Sequence, residues 1–238
     1  MPRHADPDAR REQLASAALD IALTQGLDRV SVPRIAQRAG VSVGLVQHYF
    51  PAKAALVVTA YEALAARVEA RVGAIVEAGE AQRGSIREMV AAGLEELLPL
   101  DAERRAEGMV RAEFAARALR EQSLGAVARS LRSTLLARVT LAVENGQECG
   151  ETAPAFGAAA AAGAALELVA LSEGLAAALL VEPDATDVAR LAPDDAADAA
   201  PAASVEVLRG ACARVFPGSC ARAEVTAAAN RLDQASGQ

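Results

Sequence analysis

The chain has 238 residues and a formal net charge of −7, with 53% hydrophobic but only 3% aromatic residues. The negative net charge argues against a protein that coats nucleic acid without regard to sequence. The chain has only two histidines, so a zinc site or a histidine-dependent hydrolase would have almost no suitable side chains. A core built mainly from Ala, Leu and Val favours helix, and no sustained period-two alternation is found, so we predict an all-α fold.

The charge is unevenly placed along the chain. Residues 1–53 contain seven basic and five acidic side chains, whereas the remainder contains seventeen basic and twenty-six acidic ones. Lys53 is the only lysine. A relatively basic end on an acidic chain is compatible with DNA binding, because the local field governs the contact.

Three helices are predicted in the N-terminal part of the chain. A buried stripe of apolar residues at helical spacing predicts a helix over 7–25 that stops at Gly26. A second helix should start after Ser31, tolerate Pro33 in its first turn and end near Ala39. A third should span residues 43–49.

The second and third helices are typical of a helix-turn-helix. Gly40 can take a positive φ at the turn, and Ser42 can cap the third helix through its side-chain oxygen. The outward face of the third helix carries Val43, Gly44, Gln47 and His48, which are groups suited to base edges and phosphates.

A long fourth helix should begin near Lys53, after Pro51, and continue to about Gly79. At about 1.5 Å per residue it would be close to 40 Å long and act as a rigid strut. Ala52 offers no capping side chain at its start, and the positive charge of Lys53 opposes the helix dipole. A residue that is locally unfavourable is retained more readily for an external partner, and we expect that partner to be a phosphate.

Further helices are predicted over the remaining chain, at about 85–98, 102–121, 124–148, 154–181 and 202–215, with a tail helix at 221–233. The acidic stretch 183–201 should form a long loop. The most apolar segment, 153–181, has a longest uncharged run of fourteen residues, which we judge too short to span a bilayer, so a buried helix is expected. The polar N-terminus has no signal-peptide pattern, and the sparse cysteines fit a reducing compartment; we expect a cytoplasmic protein. The roles of Cys212 and Cys220 stay open.

Several elements at fixed spacing carry a resemblance to a known family: Arg10-Arg-Glu-Gln-Leu14, Ala18, Gly26, Val30-Ser-Val32, Ile35-Ala36, Ala39-Gly-Val-Ser42, His48-Tyr-Phe50 and Lys53. With these, residues 10–61 resemble the N-terminal DNA-binding domain of the TetR family of bacterial transcriptional regulators. Leu97–Asp101 and Leu168–Leu175 are weaker similarities to its BetI-like branch. The resemblance implies a DNA-binding domain at 1–53 and a helical effector-binding and dimerisation domain at 54–238.

The resemblance also implies functional residues. Those expected to contact DNA are Ser31, Ser42, Val43, Gly44, Gln47, His48, Tyr49 and Lys53. Arg34 and Arg38 are secondary candidates, for which a solvated helix face is the alternative. Homodimerisation is expected through about 155–181 and 202–215, although burial of these helices within one subunit is the alternative. The implied partners are double-stranded DNA with a palindromic operator and a small-molecule effector.

An effector pocket is the least specified feature. Glu113, Glu167 and Glu173 are the carboxylates expected to face inward, where a cationic ligand could pair with them, although a wet surface or an arginine partner would also satisfy each one. The candidate pocket residues are Met89, Met109, Glu113, Phe114, Glu167 and Leu171.

The function predicted from the sequence is a ligand-responsive transcriptional regulator, most simply a repressor, and not an enzyme. No catalytic motif, cofactor or metal site is found in the sequence. The alternatives are a helical adaptor that binds protein and a small-molecule-binding protein or enzyme with a non-functional head.

Overall fold

The computed structural model describes residues 6–152, 158–181 and 199–219. All regular secondary structure in these ranges is helical. The helices are α1 (Pro7–Gln25), a short 3-10 turn (Leu27–Arg29), α2 (Val32–Ala39), α3 (Val43–Tyr49), α4 (Lys53–Ala81), α5 (Ile86–Glu95), α6 (Ala102–Ala118), α7 (Gln122–Cys149), α8 (Ala158–Val181) and α9 (Ala199–Val215). The all-α prediction is confirmed.

The chain divides into two compact units that interleave along the sequence. Unit 1 contains Met1–Glu69 and Asp101–Leu131, and unit 2 contains Ala70–Leu100 and Arg132–Gln238. Helix α6 therefore belongs to the same unit as the three N-terminal helices. The predicted division at residue 53 concerns function and stays a prediction.

Unit 1 is built around α1. Its buried residues recur at helical spacing and are Leu14, Ala17, Ala18, Leu19, Ile21 and Ala22. Helix α1 packs against α2, the 3-10 turn and α6. The other elements of the unit also provide buried apolar side chains, among them Ile35 and Ala36 of α2 and Val46 of α3. Burial removes these apolar side chains from water, and this is the main contribution to the stability of the unit.

Unit 2 has a core formed by α5, α7, α8 and α9. Its buried side chains are mostly small or branched, and Phe216 after α9 is the largest of them. One face of α8, carrying Ala161, Ala165, Leu168 and Ser172, is fully buried against this core. Small residues allow helices to pack closely, which explains how an alanine-rich sequence forms a core with few aromatic residues.

Several predicted boundaries differ from the observed ones. Helix α5 starts at Ile86 and ends at Glu95, three residues before the predicted end, while α9 starts at Ala199. The end of the predicted 183–201 loop is therefore helical, because Ala199 and Ala200 extend α9. The rest of that loop and the tail helix at 221–233 lie outside the described residues.

The length argument against a membrane span was wrong. Ala159–Val181 is long and apolar enough to cross a bilayer by length and composition, with a mean hydropathy of 1.9 in its most apolar window. Composition alone is weak evidence, since a core helix passes the same test. One face of this helix packs into the core of unit 2, and its outer face carries Glu167 and Glu173.

Candidate DNA-binding surface

The turn between α2 and α3 has the geometry that the sequence predicted. Gly40 adopts a left-handed conformation, with φ 67° and ψ 35°, and the Val41 N–H donates to the Ala36 carbonyl at 3.0 Å. The Ser42 hydroxyl accepts from the Leu45 N–H at 3.2 Å and so caps α3. These local bonds fix the direction in which α3 leaves the turn.

Helix α3 presents a short exposed face. Ser42, Val43, Gly44, Gln47 and His48 are exposed, and Val43 retains 44% of its accessible surface. On the opposite side Val46 is fully buried. The burial of that side anchors the helix, and the exposed side is free to enter a groove.

Tyr49 lies between these two sides. It is half-buried, and its ring meets the edge of the His48 ring with centroids 5.5 Å apart and planes at 87°. The Phe50 ring next to it is almost completely buried, with the guanidinium of Arg11 over its face at 5.8 Å. The end of α3 is thus held by aromatic packing and by a cation–π contact with α1.

Three predicted contact residues meet at one cleft beside α3. Ser31, Gln47 and Lys53 all line a surface depression of about 260 Å³, together with Pro33, Phe50 and other residues of α2 and α4. Ser31 occupies the cap position of α2, and within the described residues its side chain makes no capping hydrogen bond to that helix. Ser31, the N-terminus of α2 and the cationic residue Lys53 therefore border the same cleft, which is a suitable arrangement for a phosphate.

Contacts from α1 hold the helix-turn-helix in position. The Gln13 side-chain amide donates to the Ala39 carbonyl at 2.9 Å, and Arg38 forms an ion pair with Asp20 at 3.0 Å. Arg34 is hydrogen-bonded to Gln25. The two secondary DNA-contact candidates, Arg34 and Arg38, are therefore engaged within unit 1, which sequence reasoning missed because their partners on α1 are distant in sequence.

The candidate effector-pocket residues are divided between the units. Met109, Glu113 and Phe114 lie in unit 1, and Met89, Glu167 and Leu171 lie in unit 2. Met109 and Glu113 line a cleft of about 420 Å³ between α1 and α6. Phe114 is fully buried and stacks on Tyr61 of α4, with centroids 3.7 Å apart. The complete set forms no common site within either unit, and its role stays a prediction.

The expectation that Glu167 and Glu173 face inward was wrong. Both are exposed, and Glu173 forms an ion pair with Arg132 at 2.9 Å. They lie on the outer side of α8, away from the face that carries Leu168 and Ser172. An ionised carboxylate stays in water or beside an arginine because burial without a partner is costly.

Among the residues that the structure describes, the fully buried carboxylates are Glu107 and Glu151, and neither was predicted from the sequence. Glu107 faces Arg67 at 3.5 Å. It shares the buried face of α6 with Val110 and Phe114, so its helical spacing from Phe114 was a signal that could have found it. Glu151 accepts hydrogen bonds from the Ser85 hydroxyl and from the N–H groups of Ile86 and Arg87 at 2.7–3.0 Å, and so caps α5.

Two family models match the chain. The model described as bacterial regulatory proteins of the tetR family matches residues 14–60, and the model of the BetI-type transcriptional repressor C-terminal domain matches residues 86–200. The first match covers the helix-turn-helix and the start of α4. The second covers α5 to α8 and reaches the start of α9.

Comparisons with individual proteins agree with these matches. The chain is similar to the HTH-type transcriptional regulator BetI of Vibrio vulnificus, with 45% identity over 53 residues, which are 22% of this chain and 27% of that protein. The chain spans about a third or less of the length of the curated relatives it matches.

Solved structures match over most of the chain. A transcriptional regulator from Rhodococcus sp. Rha1 is 30% identical, covers 83% of this chain and 95% of its own, and has a TM-score of 0.60. A second regulator, from Saccharomonospora viridis in complex with choline, shares the fold with 18% identity, coverage of 86% and 94%, and a TM-score of 0.60. Together with the family models and the geometry of α2 and α3, these similarities establish that the chain belongs to the TetR family of bacterial regulators, in its BetI-like branch.

Proposed function

We propose that the protein is a ligand-responsive transcriptional repressor of the cytoplasm, which binds a palindromic DNA operator as a homodimer. The observation that carries this proposal is the exposed face of α3 beside the cleft lined by Ser31, Gln47 and Lys53. Its base-reading groups and its phosphate-binding groups occur together on an anchored scaffold.

The chemistry of the α3 face suits a major groove. The Gln47 amide can bond both N6 and N7 of an adenine, and Val43 can contact a thymine methyl group. Gly44 lets the backbone approach closely. His48 lies beside Gln47 on the exposed face, and hydroxyls of Ser31, Ser42 and Tyr49 can donate to phosphate oxygens.

Dimerisation is supported by the outer face of α8. Ala159, Gly163, Leu166, Ala170, Glu173, Ala177 and Val181 follow one another at intervals of three or four residues, and all are exposed. Leu166 retains 49% and Val181 86% of its accessible surface. An exposed, largely apolar helix face of this length is typical of a protein interface. A two-fold dimer would place two copies of α3 in half-sites spaced by about one DNA turn, roughly 34–36 Å, or a multiple of it.

An effector would act by binding more tightly to a dimer in which the distance between the two DNA-binding domains does not match the spacing of the operator half-sites. The effector and the operator must then weaken each other's binding by the same factor. Choline is the first compound to test, since the Saccharomonospora viridis regulator of the same fold was solved in complex with it.

The proposal is tested with labelled duplexes that tile the region upstream of the chain's own gene, titrated with the full-length protein at several salt concentrations. We expect one segment to bind much more tightly than the rest, and its affinity to fall steeply with salt. Equal binding to all segments, or none at low salt, would contradict the proposal. Protein capture or substrate turnover without DNA binding would instead favour an adaptor or an enzyme.

A further inference from the structure

The corner between α1 and α2 is the feature on which this inference rests. Helix α1 ends at Gln25, and the chain turns through Gly26, at φ 86°, into the 3-10 turn Leu27–Arg29. Leu27 and Val30 are fully buried. Because Ser31 and α2 follow directly, the position of this corner determines where α2 begins.

Two side chains of α6 hold the corner. One carboxylate oxygen of Glu113 accepts from the Leu27 N–H at 2.8 Å, and the other accepts from Arg117 at 2.6 Å. The same Arg117 nitrogen donates to the carboxylate of Asp28 at 2.7 Å. We call Glu113 and Arg117, with their contacts to Leu27 and Asp28, the α6 latch.

The parts of the latch differ in strength. The Glu113 and Arg117 side chains retain only 33% and 20% of their accessible surface, whereas the side chain of Asp28 retains 85%. A charge-assisted hydrogen bond in a partly buried place is much stronger than an exposed ion pair, which solvent screens. The bond from Leu27 to Glu113 should therefore be the main connection.

The packing of α6 directs Glu113 towards the corner, and a cleft lies beside it. Its neighbour Phe114 is fully buried against Tyr61 of α4, which fixes the rotation of α6. The cleft of about 420 Å³ between α1 and α6 borders Glu113 and Gly26. Beside this cleft, the hydrogen bonds of Glu113 and Arg117 connect α6 to the corner, in addition to the packing of α6 on α1 and the 3-10 turn. Glycine at residue 26 is favoured by the φ of 86° and not by space, since a Cβ atom there would lie 3.4 Å from the Glu113 carboxylate, an ordinary contact.

We propose that Glu113 and Arg117 are positioning residues for DNA binding, through which a displacement of α6 is passed to the helix-turn-helix. The inference rests on the proposed function, because it requires a DNA operator that binds only one position of the helix-turn-helix. By reciprocity, operator binding must then change the protection of α6, and this change must depend on the latch.

The test is hydrogen–deuterium exchange of the full-length protein, free and bound to the duplex segment that it binds most tightly. In the wild type we expect DNA to slow exchange at the Leu27 amide and in α6. In Glu113→Ala the Leu27 amide should exchange roughly tenfold faster without DNA, and the DNA-induced protection of α6 should be lost. Asp28→Asn should retain most of the wild-type response, because it removes only the exposed ion pair.

Glu103→Ala is the matched control, since Glu103 is on the same helix and pairs with Arg67 of α4. It should respond to DNA like the wild type. Glu113→Gln retains an acceptor for the Leu27 N–H, so it should lose only part of the DNA-induced protection of α6. It replaces Glu113→Ala in the test if that variant does not fold. The proposed role of the α6 latch would be contradicted if both Glu113 variants exchanged at the wild-type rates. It would also be contradicted if DNA binding left the exchange of α6 in the wild type unchanged. A wild-type protein that binds no duplex would instead overturn the proposed function.

Discussion

Lys53 occupies the first position of α4, is exposed, and lines the cleft beside Ser31. Its charge there opposes the helix dipole, so the helix itself gains nothing from it. Lys53→Ala should weaken binding about equally for all DNA sequences and reduce the slope of log affinity against log salt by about 0.9, the value for one phosphate contact. Fluorescence anisotropy at four or more salt concentrations measures this slope.

Lys53→Arg is the control, because it retains the positive charge, and it should keep most of the slope. An unchanged slope for Lys53→Ala would remove Lys53 from the contact surface. A loss confined to one operator sequence would assign it a base-reading role instead.

Gln47 is exposed on α3 and shares the cleft with Lys53, but its amide carries no charge. Gln47→Ala should therefore leave the salt slope unchanged. It should relax the preference at one base pair in each half-site by about 1–3 kcal/mol. Affinities for a set of operators with single base-pair changes measure this preference. A uniform loss for all of them would show that Gln47 contacts the backbone rather than a base.

Cys212 lies in the core of unit 2 and is fully buried. Burial, assisted by the charge of Glu95, raises the pKa of the Cys212 thiol from 9.0 to about 11. The native thiol should therefore react with iodoacetamide at pH 8 at least a hundredfold more slowly than the unfolded chain, because the thiolate is the nucleophile. Peptide mass spectrometry after timed labelling, with and without urea, measures the two rates.

The same shift gives a dependence of stability on pH. Because the pKa of Cys212 is raised in the folded state, the protonated thiol makes its full contribution to stability below pH 9. This contribution is lost as the pH rises towards 11, where the folded thiol ionises. Cys212→Ala should show a smaller fall in stability over that range. Rapid labelling of the native thiol would contradict its burial and would reopen a redox role.

At the scale of elements, α5 depends on a carboxylate that follows α7. Glu151 is fully buried and accepts bonds from the first two N–H groups of α5 and from the Ser85 hydroxyl. Glu151→Ala should lower the free energy of unfolding by about 3 kcal/mol, because it leaves three partly buried donors without their acceptor. Glu151→Gln should cost less, since one oxygen remains. Urea denaturation followed by circular dichroism gives the midpoints, and the exposed Glu88→Gln serves as control with less than about 0.5 kcal/mol of change.

Helix boundaries were predicted best where a local signal marks them. Gly26, Gly40 and Ser42 end or begin helices through their own backbone and side-chain bonds, so α1, α2 and α3 have the predicted bounds. Helix α9 begins at Ala199 in an alanine-rich stretch, three residues before its predicted start at residue 202. Where neighbouring residues are all good helix formers, tertiary packing sets the end.

The candidate DNA-binding face was predictable for the same reason, since its residues lie within two short helices. The α6 latch was not, because Leu27 and Glu113 are 86 residues apart and meet only through tertiary packing. Glu151 illustrates the same limit, because the groups that it caps are 64–66 residues away in the sequence. Glu107 differs, since its helical spacing from Phe114 places it on the buried face of α6.

At the scale of the whole molecule, the proposed repressor needs two copies, because one α3 reads only half of a palindrome. The outer face of α8 is the surface on which we base the dimer, and Leu166 is an exposed large apolar side chain near its middle. Leu166→Glu should place two like charges close together at a two-fold interface, where burying them is costly. We expect a monomer by light scattering and at least a hundredfold weaker operator binding, with the α-helical circular dichroism retained.

Leu119→Glu is the matched control, since Leu119 is 88% exposed at the end of α6 and lies outside α8 and α9. It should remain dimeric and bind the operator normally. If Leu166→Glu stays a dimer, the subunits pair through another surface. If it becomes a monomer but binds a full operator as tightly as before, the palindrome model fails even though the interface is correct, because a single head would then supply all of the affinity.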